Sequence, residues 1–273
     1  MISPPLTNTD LLWAALLLVL NGAISLAFAL RLGLNLAMVS LRMAVQVAAI
    51  GIVLRFVFLQ SSPLWTAGVA LLMLLVAGYE LAERQDRRFR AWWTHGLGNA
   101  TLLLTSGLAT LYAVTVVIAP NPWYQPRYLL PIFGMVLGST LSSISLVLQT
   151  LAEGIERERH AIEARIAQGS TRLEAFAPLM RRAMRTATTP LLNVMSVAGM
   201  LTLPAMMTGQ ILAGADPVEA ARYQIVLMCI LAGAAGLGTF AAALGGVLVL
   251  SDRRHRVRID RLAPFGQRAP GRL

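Results

Sequence analysis

Lysine is absent from this chain, so every basic side chain other than histidine is an arginine. A phosphate-cradling P-loop needs Gly-Lys followed by Ser or Thr, and no such triplet can be written here, which excludes a Walker-type ATP site. Cysteine is nearly absent as well. Cys229 alone leaves neither a disulfide framework nor a thiolate cluster for zinc or iron-sulfur. The three histidines, His95, His160 and His255, are dispersed and lack the two-on-one-helix spacing of a catalytic metal site, so they read as solvated surface residues. Charge is scarce too: 13% of residues are charged, about half the roughly 25% of a soluble domain. What fills the space is apolar: 56% hydrophobic residues and a mean hydropathy of +0.66 mark an integral membrane protein.

Apolar segments able to cross a hydrocarbon core of about 30 Å, at about 1.5 Å per residue, fall near 11–30, 36–58, 64–82, 100–119, 128–149, 191–213 and 223–250. They predict an all-α polytopic membrane protein, one domain over 1–273, with seven transmembrane helices. The first segment is too long for a signal-peptide core and lacks a small-residue cleavage site leading into a soluble body, so it is expected to stay as a helix. Nineteen of the 23 basic residues (Arg31, four in 84–90, seven in 157–185, seven in 253–272) fall on one side if the charged stretch 151–190 is cytoplasmic. Arg127 and Arg222 fall on the other, and Arg42 and Arg55 lie within a span. The positive-inside rule then puts the N-terminus outside and the C-terminus in the cytoplasm. A net charge of +10 laid beside membrane spans calls for anionic lipid and for no nucleic-acid partner. The tail 251–273 reads as a basic stop-transfer anchor.

The stretch 151–190, between spans five and six, carries the clearest local pattern. From Glu153 to Gln168 the apolar positions Ile155, Ile162 and Ile166 recur as one helical stripe, and Glu153 precedes Arg157 by four residues in the favourable order. Gly169 supplies a left-handed stop. Thr171 followed by Glu174 is a capping-box signature opening a second helix, whose apolar side is Leu173, Phe176, Leu179 and Met180, with Pro178 near its first turns. Two short helices broken at a glycine make a knob that fits a groove in a peripheral protein; the other reading is an amphipathic segment lying on headgroups.

Glu163-Ala164 with Gly169 six residues after the glutamate resembles the EAA motif of ABC-importer permeases. Further matches give that likeness a family: Pro131 to Gly138 with Thr140, Ile144-Ser-Leu146, Ala167-Gln-Gly-Ser-Thr171 with Glu174-Ala175, Pro178, Arg182, Arg185, Pro190 and Asn193, then Leu203 to Gly214 and Tyr223-Gln-Ile225. Together they resemble the FetB-type iron-export permeases, the family that also includes the plant aluminium-sensitivity permeases. The resemblance runs from span two to the start of the tail and is densest over 126–225. It implies the membrane subunit of an ATP-driven ABC exporter, a homodimer in the bacterial inner membrane. ATP and Mg would bind a separate ATPase, none would bind this chain, and the chain would itself be no enzyme. Glu163, Ala164, Gly169, Thr171, Glu174, Pro178, Arg182 and Arg185 would couple to that ATPase. Departures stand at Ser139 (usually Asn), Gln149 (usually Asp), Ala205 (usually Gly) and Thr186-Ala187 (tending to Gly-Met), three of them in or beside spans five and six. The family is described both as exporting iron and as serving UDP-glucose transport, so a metal and a nucleotide sugar are both open as cargo. A secondary transporter without an ATPase is the remaining alternative, and it would need buried carboxylates that the spans scarcely offer beyond Glu80.

Candidate pathway residues follow from chemistry. Span five stacks Ser139, Thr140, Ser142, Ser143 and Ser145 above Gln149, hydroxyls that either line a path or bond the carbonyl one turn back. Gly134, Gly138 and Ser142 form a small-residue track suited to a helix seam, including one between two copies. Pro204 lacks an amide hydrogen and with Gly209 predicts local unwinding in span six, exposing Met206, Met207, Thr208 and Gln210. Met206 and Met207 are candidate metal ligands: thioethers suit soft ions such as Cu(I), whereas Fe(II) is better served by imidazole or carboxylate, which these spans largely lack, and methionine is also an ordinary core filler. In span two, Arg42 and Gln46 share a face. Arg42 either pairs with Glu80, snorkels, or meets an anionic substrate. In span seven, Ala232, Gly233, Gly236 and the alanines 241–243 read as close helix packing.

Overall fold

The computed structural model describes residues 7–28, 33–60, 62–84 and 92–251. Arg31, Arg87, Arg88, Arg90 and the basic tail from 252 onward lie outside the described residues. The described chain is helical: α1 (Asn8–Ala27), α2 (Gly33–Gln60), α3 (Pro63–Arg84), α4 (Trp92–Tyr112, continued as a π-helical turn Ala113–Ile118), α5 (Pro126–Arg157), α6 (Arg159–Ala167), α7 (Arg172–Val197), α8 (Ala205–Leu212) and α9 (Pro217–Leu250). Proline opens α3, α5 and α9, where a missing amide hydrogen costs nothing and its fixed φ favours the first turn. Asp216 caps α9, its Oδ1 accepting from the amides of Val218 (2.9 Å) and Glu219 (3.1 Å).

Close approaches at glycine set the helix directions. A Cβ on Gly134 of α5 would stand 2.9 Å from Met73 of α3, and one on Gly98 of α4 would stand 2.7 Å from Leu81 of α3. One on Gly238 of α9 would stand 2.8 Å from Thr140 of α5 and 3.3 Å from Thr105 of α4, while one on Gly245 would stand 2.5 Å from Leu97 of α4. So α3, α5 and α9 run one way and α4 runs against them. α5 is central, packing on α3, α4, α7 and α9. Its core is a cluster that includes Leu102, Ile144, Leu148, Leu151, Phe176, Leu179 and Val247.

Five helices among the described residues are long and apolar enough to span a membrane: α2 (from Leu36), α3, α4 with its π turn (from Gly96), α5 and α9; α1 contributes a shorter apolar stretch, Trp13–Ser25. This corrects the expectation of seven continuous spans. The predicted span 191–213 is the end of α7 (191–197), an unwound stretch 198–204 and the eight-residue α8. Direction still requires a return crossing, because α5 and α9 run parallel and the chain between them must travel back. That crossing is made by a broken helix. The unwinding precedes Pro204, which caps α8 and does not kink a continuous span. Span seven also packs differently from its pattern: Gly233 and Gly236 face open space, and Gly238 and Gly245 make the close contacts.

Candidate functional site

The charged loop folds as a knob carried on the ends of two long helices. α5 runs through Glu153 to Arg157, so the predicted helix 153–168 is in fact the tail of α5, a turn at Glu158, and α6. Glu153 therefore accepts from Gln149 Nε2 (3.0 Å), and the expected Glu153–Arg157 pair is replaced by Arg159 Nε on Glu163 Oε1 (2.8 Å). The stop at Gly169 is as read, with φ +94°, a region nearly closed to residues with a Cβ. So is the capping box. The Thr171 amide donates to Glu174 Oε2 (2.8 Å) and the Glu174 amide to Thr171 Oγ1 (3.4 Å). These bonds hold the Glu174 carboxyl below its ordinary range, the backbone bond first and the side-chain bond second. The second helix is longer than the sequence implied. It is the first half of α7, with Pro178 inside it and exposed.

Ile155, Ile162, Ala175, Phe176 and Leu179 are buried beneath the knob, whereas Leu173, expected on the apolar side, is exposed. Two arginines tie its parts together. Arg182 of α7 pairs with Glu158 at the α5–α6 turn, and Arg165 of α6 donates to the carbonyl of Ala175 (3.2 Å). Glu163 is half-buried, while Ala164, Gly169, Thr171, Glu174, Pro178, Arg182 and Arg185 are exposed. The knob is thus a rigid, solvated surface whose capping and packing leave its tip free.

Within the bundle, Arg42 Nη2 lies 2.7 Å from Glu80 Oε2, and Arg84 Nε lies 3.4 Å from Glu80 Oε1. The pairing reading of Arg42 is the one the geometry takes; Gln46 is exposed one turn along α2. The hydroxyls of α5 divide. Ser139 and Ser142 bond back to the carbonyls of Val136 (3.1 Å) and Gly138 (3.0 Å), while Ser143 and Ser145 are buried. Thr140 is buried and, among the described residues, no partner reaches its hydroxyl; the same holds for the buried Ser106 and Thr110 of α4, positions the sequence reading passed over. Thr-x4-Ser-x3-Thr along span four, Thr101, Ser106 and Thr110, was the available signal.

On α8, Met206 packs against a cluster with Ile132, Val136, Leu227 and Ile230. Met207 follows on the same continuous helix, so the two thioethers point about 100° apart and do not converge within one copy. Thr208 Oγ1 bonds back to the Pro204 carbonyl (3.2 Å), and Gln210 is half-buried. Among the described residues no group of three or more His, Cys, Asp or Glu could hold a metal ion.

The sequence profile described as "Uncharacterised protein family (UPF0014)" matches residues 8–248. Among curated relatives, the chain is 34% identical to "UPF0014 membrane protein STAR2" of Oryza sativa subsp. japonica, over 78% of this chain and 73% of that one. It is 30% identical to "Protein ALUMINUM SENSITIVE 3" of Arabidopsis thaliana, over 84% and 82%. It is 28% identical to "Probable iron export permease protein FetB" of Escherichia coli strain K12, over 94% and 97%. No solved structure matches the chain. A match over nearly the whole chain, carried by apolar helices that fit a bilayer, leaves one assignment: the chain is an integral membrane protein of the UPF0014 family.

Proposed function

We propose that this chain is the membrane subunit of an ATP-driven ABC exporter that moves iron or another metal out of the cytoplasm, working as a homodimer with a separate ATPase that carries the ATP and Mg. The observation that carries the reading is the knob. A helix–glycine–helix surface, stapled to α5 by Phe176 and Leu179 and capped at Thr171, is built to take a load from outside the chain. Glu163, Ala164, Gly169, Thr171, Glu174, Pro178, Arg182 and Arg185 form the surface offered to the ATPase. The path then uses α5 and the broken crossing, with Ser139, Thr140, Ser143, Pro204, Met206, Met207, Thr208 and Gln210 beside it. The knob end faces the cytoplasm of a bacterial inner membrane, following the arginine bias, and the export direction is borrowed from the relative named as an iron export permease.

A nucleotide sugar is favoured less, because the guanidinium of Arg42 that would meet its phosphates is already taken by Glu80. Secondary transport is favoured less for a related reason: Glu80 is held by Arg42 and Arg84 rather than left free to cycle a proton. The test is reconstitution of the chain with its cognate ATPase in liposomes, following ATP-dependent movement of Fe(II) and of UDP-glucose side by side. Iron movement is expected; sugar movement alone overturns the metal reading. In the same liposomes, Gly169→Pro and Glu163→Arg are expected to remain inserted and to lose stimulation of the ATPase. Normal stimulation in both would remove the knob from the coupling surface.

A further inference from the structure

Serine and threonine inside an apolar helix commonly turn their hydroxyls back onto the carbonyl one turn earlier, and most of those in the core helices of this chain do so. Thr101 donates to the Leu97 carbonyl, Thr105 to that of Thr101 and Thr115 to that of Leu111, each at 2.7 Å, and on α9 Thr239 donates to Ala235 at 2.6 Å. Ser106 and Thr110 of α4 do not. The carbonyls of Leu102 and Ser106 stand one turn back from them, yet among the described residues no partner reaches either hydroxyl. Asn99 Oδ1, on the same helix, is likewise buried without a partner.

These exceptions share a face. At about 100° per residue, Asn99, Ser106 and Thr110 fall within about 20° of one line along α4, whereas Thr101 and Thr105 lie about 120–160° away. The self-bonded side meets α9, where a Cβ on Gly238 would stand 3.3 Å from Thr105 Oγ1. The unpaired side meets α3, where a Cβ on Gly78 would stand 2.6 Å from Asn99 Oδ1. Just beyond Thr110 the backbone ladder of α4 widens into the π-helical turn Ala113–Ile118, so the helix is irregular at the end of the same stripe.

No outside group can complete these bonds. Ser106 is 0% and Thr110 4% exposed, so neither lipid nor another protein chain reaches them. Ser106 lies near the middle of the span Gly96–Ile118, about 15 Å along it and so about half an apolar layer from bulk solvent. The occupant must therefore be small, and with no carboxylate on the stripe it must be neutral. Folded proteins avoid rows of dry buried hydroxyls, and a buried water that satisfies them takes two to four polar partners. Residues four apart on a helix hold their Cβ atoms about 5–6 Å from each other, a gap that one water spans between two hydroxyls.

We propose that the α3-facing stripe of α4 is a hydration site inside the chain. One water bridges Ser106 Oγ and Thr110 Oγ1 and donates to a carbonyl of the turn between them, whose second lone pair the helix leaves unused; another is held at Asn99 Oδ1. Thr140 is not part of the site. Its methyl is lodged where a Cβ on Gly238 would stand 2.8 Å away, and no other hydroxyl of α5 is buried and unpaired beside it to share a water. The bridge makes the joint of α3 with α4 polar at a depth where hydropathy reads only core. It depends on neither the cargo nor the ATPase of the proposed function.

The test uses the purified full chain in lipid nanodiscs. After rapid mixing into heavy-oxygen water, a short X-ray pulse converts bound water to hydroxyl radicals that oxidise adjacent side chains. The reporter is Leu102, fully buried one turn before Ser106. It is expected to be oxidised, and to carry light oxygen long after surface residues carry heavy oxygen, whereas Ile155, equally buried beneath the knob, stays unmodified. Ser106→Ala and Thr110→Val are each expected to remove at least half of the Leu102 signal and to lower the melting temperature by about 2–4 °C. The double variant should lower it by less than the sum, because both changes release the same water. An unmodified Leu102, or a melting temperature that Ser106→Ala and Thr110→Val both raise, as removal of dry hydroxyls would, overturns the proposal.

Discussion

Gly154→Ala tests the joint between the knob and the bundle. The new methyl would overlap Leu179 Cδ1 and stand 3.3 Å from both Cδ2 and Cγ of the same residue. Rotating the end of the leucine exchanges one clash for another, and Leu179 is 2% exposed, so it has no free space to swing into. Either α7 moves off α5 or Leu179 leaves its rotamer, an overpacking that costs about 1–3 kcal/mol. Replacing a mid-helix glycine by alanine returns about 0.5–1 kcal/mol. The net expectation is a loss of about 1–2 kcal/mol, and Gly154→Val should lose more. Leu179→Ala alone should cost about 2–5 kcal/mol by leaving a cavity. In the double variant the new methyl sits where the leucine was, so the combined loss should fall short of the sum by at least about 1 kcal/mol. Thermal unfolding of the detergent-purified chain reads all three. A stabilised Gly154→Ala, or strict additivity in the double variant, would show that α5 and α7 are not in contact here and refute the reasoning.

Three further outcomes are expected. Arg42→Ala and Glu80→Ala should each reduce the yield of inserted protein, by no more than the roughly 3 kcal/mol that a lone arginine costs in mid-span, and the swap Arg42→Glu with Glu80→Arg should recover most of it. Because the Glu174 carboxyl is held below its ordinary value of 4.5, its capping contribution is present above that pH and is lost as pH falls through the lowered folded value. The protection of the Thr171 amide against hydrogen exchange, taken relative to its intrinsic rate at each pH, should fall on acidification, and Glu174→Gln should remove that pH dependence. Thr140→Val removes a buried hydroxyl that finds no partner among the described residues and should raise stability by about 1 kcal/mol; if the hydroxyl also borders the path, transport falls while stability rises.

Features fixed by neighbours in sequence were legible: the αL stop at Gly169 and the Thr171–Glu174 box each depend on a few residues and a known spacing, whereas the pairing of Arg42 with Glu80, on another helix, was one of three readings until the packing of α2 on α3 chose it. The broken crossing was only half legible. Hydropathy over 191–213 counts apolar side chains and is blind to the backbone bonds that Gly199, with φ +85°, and Pro204 give up. Pro204 marked the right neighbourhood, but the unwinding falls on its N-terminal side. The tail of α5 was misplaced for the opposite reason: charged residues such as Glu153 and Arg157 suggested a new helix, although nothing between Thr150 and Arg157 interrupts the backbone ladder. Which glycines of α9 make contacts could not be read at all, because periodicity shows a face and not what lies opposite it. Gly238 and Gly245 are chosen by the positions of Thr140 and Leu97 on other helices.

That α5 is one unbroken helix from Pro126 to Arg157 has a mechanical consequence. Its 32 residues make a stiff beam roughly 48 Å long at about 1.5 Å per residue, with the knob at one end and the membrane layer along the rest. Its one interior proline, Pro131, lies near the end away from the knob, so no proline interrupts the helix between the knob and Gly138. A tilt of about 5° about one end would sweep the other by roughly 4 Å over that length, and Gly138, Thr140 and Ser142 would travel with it. The compliant element is on the partner strand of the hairpin, at the gap between α7 and α8. A load applied to the knob would therefore be carried by one side of the hairpin while the other yields, and a small displacement there would change the space at mid-membrane.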